Sequence, residues 1–183
     1  MNGPPPNGNE GSVDIFVLST SETLAPMIRE HLEQNGYHVT LFDDGENLLE
    51  TLKTGKPNLL ICDTTDPAVP SYDICRQIKA DRDLWVIPVL ILTEASALSD
   101  LLFVLDSNAD NFISLPYDQP YLLSLINGML GTPVERPTPE QIKTQFKIQH
   151  NDQIFVITAD RRKLLEFLLS SFEIAVTKHE EIS

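Results

Sequence analysis

Short apolar runs alternate five times with stretches of helical spacing, and this constrains the fold more than any other feature. The runs are Val13 to Leu18, Tyr37 to Phe42, Leu59 to Cys62, Pro88 to Leu92 and Phe112 to Leu115. Most are too continuously apolar for a strand with one wet face, so they suit strands covered on both sides. Between them, Leu24, Met27, Ile28 and Leu32 form a first helix ended by Gly36. Glu46 to Lys53 follows the Asp43-Asp44-Gly45 turn, Tyr72 to Ala80 is a third helix and Ala97 to Ser107 a fourth. Asp118 caps a fifth that runs to Met129. The pattern predicts an α/β doubly wound parallel sheet with helices on both faces. Ligand sites in such sheets lie beyond the carboxyl ends of the strands. Here those ends are Ser19-Thr20, Asp63, Thr93 and Leu115.

The remainder divides readily. Residues 1–11, rich in Pro, Gly and Asn, read as a disordered lead-in, with neither the basic end nor the apolar stretch of a signal peptide. The doubly wound domain occupies 12–131. Residues 132–145 hold Pro133, Pro137 and Pro139 and read as a linker. Within 146–183, Phe146 to Gln149 and Ile154 to Ile157 flank His150-Asn151-Asp152 as a hairpin, and a last helix follows. Its apolar stripe nears Ser183 with no Gly or Pro stop, the pattern of a helix that frays or leads onward. His150 and His179 are isolated and read as surface residues. Cys62 and Cys75 have no metal-ligand spacing and read as buried reduced thiols, consistent with a cytoplasmic location. A formal net charge of −14 disfavours nucleic acid and anionic membranes as partners.

Pro57-Asn58-Leu59-Leu60-Ile61-Cys62-Asp63, with Pro67 four residues on, resembles the third strand of the response regulator receiver family. Tyr72 to Lys79 resembles that family's third helix. Ile87 to Thr93 resembles its fourth strand, and Ala109 to Tyr117 its fifth. The resemblance covers roughly Val13 to Leu130. It implies a five-stranded flavodoxin-like sheet in the order 2-1-3-4-5. It also implies that Asp63 is the phosphoacceptor, that Thr93 is the switch hydroxyl and that Phe112 holds the aromatic switch position. A histidine kinase or another signalling protein becomes the implied partner.

The departures bear on chemistry. Where the family has an acidic pair that helps to hold magnesium, this chain has Ser19-Thr20. Where it has a lysine, this chain has Leu115, and position 94, usually small, is Glu94. Phosphoryl transfer to a carboxylate is mostly positioning and charge neutralisation. Magnesium leans on carboxylates, and two hydroxyls replace them poorly. The expectation is a degenerate receiver that acts mainly through protein contacts, with weak or absent phosphorylation, no catalytic residue and no cofactor. Magnesium enters only if Asp63 is phosphorylated after all, as in a working receiver. Plain structural roles stand beside these: Asp63 capping the next loop, Thr93 bonded to backbone, Phe112 packed in the core, and Glu94 solvated. A sharper alternative has Glu94 or Glu22 as substitute metal ligands. A small-molecule binder or enzyme on the same fold lacks a Gly-rich phosphate loop and a nucleophile–base pair.

Assembly is the last expectation. On the fourth helix Leu98, Leu102, Leu105 and Ala109 form the inward face, leaving Leu101, Phe103 and Val104 as a contact surface. The final helix carries Leu165, Leu168, Phe172 and Ala175 at coiled-coil spacing. Together they predict a homodimer, with folding of the helix back onto the chain as the rival.

Overall fold

The computed structural model describes residues 12–94, 98–131, 144–150 and 153–159. Five strands, Asp14–Leu18 (β1), His38–Phe42 (β2), Leu59–Asp63 (β3), Val89–Thr93 (β4) and Asn111–Ser114 (β5), form one sheet in the order β2-β1-β3-β4-β5. Every pairing in it is parallel. The crossovers are the helices Leu24–Glu33 (α1), Gly45–Thr54 (α2), Ser71–Ala80 (α3) and Leu98–Asp106 (α4), and Gln119–Gly131 (α5) follows β5. Every residue of β3 and β4 is buried, as expected of inner strands covered on both faces. The edge strand β2 buries only Val39.

Two clusters fill the space on either side. Leu48, Leu52, Ile74, Cys75, Ile78 and Val104, from α2, α3 and α4, pack on one face of the sheet. Ile28, Leu32, Leu122 and Ile126, from α1 and α5, pack on the other. Helix ends follow local chemistry. Gly36 sits at φ 87°, in the left-handed region that favours glycine, and closes α1. Asp44 caps α2 by accepting from the Asn47 amide at 2.7 Å, and the Tyr121 amide donates to Asp118 at 3.1 Å at the start of α5. Gly45 lets α2 approach α3, since a β-carbon there would lie 2.3 Å from the tip of Ile74. The chain also forms an antiparallel hairpin, Thr144–His150 (β6) with Gln153–Ala159 (β7), and β7 lies against α4. The final helix, with Leu165, Leu168 and Phe172, lies outside the described residues, as do His179 and the lead-in.

The expected phase of α4 needs correction. Val104, expected on the contact surface, has no exposed area and belongs to the cluster under the sheet. Phe103 is half-buried and stacks on Tyr72 with ring centroids 5.4 Å apart. The side chain of Leu101 is outside the described residues. The error has a physical source. Leu101 to Leu105 are five consecutive apolar residues, so the helical wheel offers little contrast between faces. Asn108, at φ 63°, also breaks the helix before Ala109, so Ala109 cannot be used to set its phase.

An internal ion pair ties α3 to the amino edge of the sheet. Lys79 Nζ donates to Trp85 O at 2.8 Å, to Ile87 O at 3.1 Å and to Asp110 Oδ2 at 2.7 Å, which uses all three of its protons. Asp110 Oδ2 also accepts from the Val89 amide at 2.8 Å. Asp110→Ala is therefore expected to destabilise the protein by about 2–3 kcal/mol, because it strands a nearly buried ammonium and a strand amide. Urea unfolding checks this, and a loss comparable to that of an exposed surface substitution would refute it.

Candidate functional site

The register fixes what meets at the carboxyl edge of the sheet. Leu18 pairs with Cys62, which sets Ser19 level with Asp63, and Asp63 pairs with Leu92, one residue before Thr93. Asp63 is 3% exposed, so its carboxylate must find donors inside the protein. It finds two. Ser19 Oγ donates to Oδ2 at 2.7 Å, and the Thr65 amide donates to Oδ1 at 2.9 Å. Ser19 Oγ in turn accepts from the Ser21 amide at 3.2 Å, which sets its proton towards Asp63. Ser71 Oγ, at the start of α3, donates to the Asp63 carbonyl at 2.7 Å. The Thr65 bond is the loop-capping role anticipated for this aspartate.

Thr20 does not join Asp63. Its hydroxyl donates at 2.7 Å to Asp66, whose other oxygen accepts from the Ala68 amide at 2.9 Å. The Thr20 hydroxyl and the Ala68 amide hold the Asp66 carboxyl below the usual carboxylate range. Thr93 is buried at the end of β4, and its Oγ1 accepts from Tyr72 OH at 3.5 Å. The same phenol reaches Thr64 Oγ1 at 3.4 Å, and burial pushes it above its ordinary pKa. Phe112 is 1% exposed and packed in the cluster beneath α3 and α4. Cys62 and Cys75 are buried and unbridged, and burial, reinforced by the neighbouring Cys75 and Asp63, pushes the Cys62 thiol well up.

Leu115 follows β5, joined to Pro116 by a cis peptide, and is partly buried against the α1–α5 cluster. With Leu24, Met27, His31 and Tyr117 it lines a cavity of about 580 Å3. There His31 Nδ1 and Tyr117 OH form a 2.6 Å hydrogen bond. A second cavity, of about 450 Å3, lies between the β3–α3 loop and α4, lined by Thr64, Tyr72, Arg76, Thr93 and Phe103. Glu94 is exposed and borders both cavities, and Glu22 is exposed at the start of α1. Among the described residues, no three His, Cys, Asp or Glu side chains gather into a group able to hold a metal ion. The donor set around Asp63 therefore fits magnesium poorly. A hydroxyl occupies one carboxylate oxygen and a backbone amide the other, and Asp66 is tied into its own loop.

Sequence reasoning missed Asp66 and Tyr72. Thr20 and Asp66 both lie just past the carboxyl ends of adjacent strands, which was a usable signal for their pairing. Tyr72 is one position into α3, where only the direction of the helix reveals that its phenol turns back to Thr93.

Residues 15–127 match the response regulator receiver domain family. The response regulator MprA of Mycobacterium bovis is 28% identical over 141 residues, 77% of this chain and 59% of that protein. The chain thus spans less than two thirds of the length of that relative. The receiver domain of a signal transduction histidine kinase from Syntrophus aciditrophicus superposes with a TM-score of 0.62 at 31% identity, covering 66% of this chain and 91% of that one. The receiver domain of the sensor histidine kinase PA1611 from Pseudomonas aeruginosa PAO1, described with a magnesium ion in its active-site cleft, superposes with a TM-score of 0.62. At 20% identity, covering 67% of this chain and all of that one, the second likeness speaks to fold alone.

The two hydroxyls at the end of β1 should separate experimentally. Ser19→Ala removes a buried donor and leaves an amide without its acceptor, so a loss of about 1–2 kcal/mol in urea unfolding is expected. Thr20→Val lies at the exposed rim and should leave the unfolding midpoint unchanged. It should, however, raise the Asp66 pKa, read by NMR titration, because the hydroxyl that depresses it is gone.

Proposed function

The chain belongs to the response regulator receiver domain family, and from that footing we propose that it is a receiver of degenerate type, signalling mainly through protein contact with little or no phosphorylation of Asp63. The observation that carries the proposal is the Ser19–Asp63 hydrogen bond. A neutral hydroxyl occupies the phosphoacceptor carboxylate from the strand end where the family has acids. On the other side, Leu115 brings apolar surface where the family has a cation to pair with phosphoryl oxygens. Two hydroxyls and a leucine lower the charge density of the site, and charge neutralisation is most of what catalyses phosphoryl transfer.

The partner that fits is a histidine kinase or another signalling protein in the cytoplasm. A net charge of −14 weighs against nucleic acid and anionic lipid. Among the described residues no helix is long and apolar enough to cross a membrane. A second copy of the chain is the occupant that suits the apolar stripe at Leu165, Leu168 and Phe172.

A working receiver is the rival reading, favoured by the retention of Asp63 at the end of β3 beside the end of β4. Incubation with acetyl phosphate and magnesium, followed by intact mass measurement, decides between them. The unaltered chain is expected to gain no appreciable phosphate. The triple variant Ser19→Asp, Thr20→Asp, Leu115→Lys is expected to gain it in a magnesium-dependent way, and to lose that gain when Asp63→Asn is added. Substantial uptake by the unaltered chain that disappears in Asp63→Asn overturns the degenerate reading.

A further inference from the structure

The burial of Leu102 is not explained by the receiver core. Val104 packs under the sheet with no exposed area. Leu102 precedes it by two residues, which at 3.6 residues per turn is roughly 200° round the helix, so it points away from the sheet. Phe103 faces α3 through its stack on Tyr72. A leucine on the outward side of a surface helix should be wet, yet Leu102 is only 5% exposed. Among the described elements outside the receiver, β7 of the hairpin lies against α4.

The hairpin also needs a support. A two-stranded ribbon is at best marginally stable in water. Its register pairs Phe146 with Ile157 and Ile148 with Phe155. We infer that the outward face of α4, centred on Leu102, is a docking site for the chain's own β6–β7 hairpin. The segment beyond the linker is thereby held as an intramolecular cap on the receiver. A partner or second copy that approached α4 from outside has to displace the hairpin first. The inference concerns the α4 surface and stands whether or not Asp63 takes up phosphate.

A thiol placed at Leu102 tests it. Cys62 and Cys75 are fully buried, so they stay silent while the receiver is folded and report its unfolding. Every buried residue of the two sheet clusters lies between Ile15 and Ile126, so a chain ending at Gly131 keeps both. Leu102→Cys in the full chain, at low micromolar concentration, is expected to react with Ellman's reagent at least about tenfold more slowly than in the chain ending at Gly131, since the probe must wait for local opening. Equal rates in the two chains, fast or slow, overturn the proposal, because the cover is then not the hairpin. If the shorter chain exposes Cys62 and Cys75, the decision passes to the full chain. There Leu102→Glu is expected to strip hydrogen-exchange protection from amides 144–150 and 153–159 and to leave β4 protected. Undiminished protection of the hairpin in that variant, with β4 intact, overturns it equally.

Discussion

A carboxylate at the end of a wholly buried strand must be satisfied by the protein, and at Asp63 that requirement organises the surrounding loops. Because β3 runs between β1 and β4 with both faces covered, water does not reach its last side chain freely. The donors have to come from what the parallel register places alongside. On one side that is Ser19, level with Asp63 through the Leu18–Cys62 pairing. On the other it is the chain turning back on itself at Thr65. The β1–α1 turn and the β3–α3 loop are thus tied through one carboxylate, and Thr20 and Asp66 repeat the tie one layer nearer solvent. The carboxyl edge of the sheet thus holds a hydrogen-bonded seam between two loops.

On the degenerate reading proposed above, the seam accounts for Ser19, Thr20 and Leu115 together. Two acids beside Asp63 would place like charges close together and would need a cation to offset them. A serine in that position donates instead of repelling. Among the described residues no cluster of acids calls for a cation there, and the apolar Leu115 extends the packing of α1 and α5. Each change alone would leave a charge without its counterpart, whereas together they leave a buried aspartate with two hydrogen bonds.

Most of the fold was legible in the sequence because its signals are strong and local. Continuous apolar runs marked the buried strands, Gly36 and Asp118 marked helix ends, and the alternation fixed the doubly wound architecture. The hairpin was legible too, although β6 and β7 extend further than the apolar runs that announced them. At the site, the ends of the strands correctly located Asp63, Ser19 and Thr93. The division of labour between Ser19 and Thr20 was not legible, because which hydroxyl faces Asp63 depends on the strand register and on where the β3–α3 loop brings Asp66. Tyr72 was hidden for a similar reason: its role rests on the angle at which α3 leaves the loop.

Helix α4 shows where pattern reading fails for a physical reason. Periodicity locates a buried face only when the other faces are polar, and Leu101 to Leu105 give no such contrast. The lack of contrast carries information of its own. Leu102, Phe103 and Val104 point in three directions, so more than one side of the helix needs cover. The sheet covers α4 at Val104, α3 covers it at Phe103, and the burial of Leu102 calls for a third cover. In a receiver that ended after α5, the outward side of this helix would be solvated and could be polar without cost. The burial of Leu102 is accounted for if β7, which lies against α4, covers it.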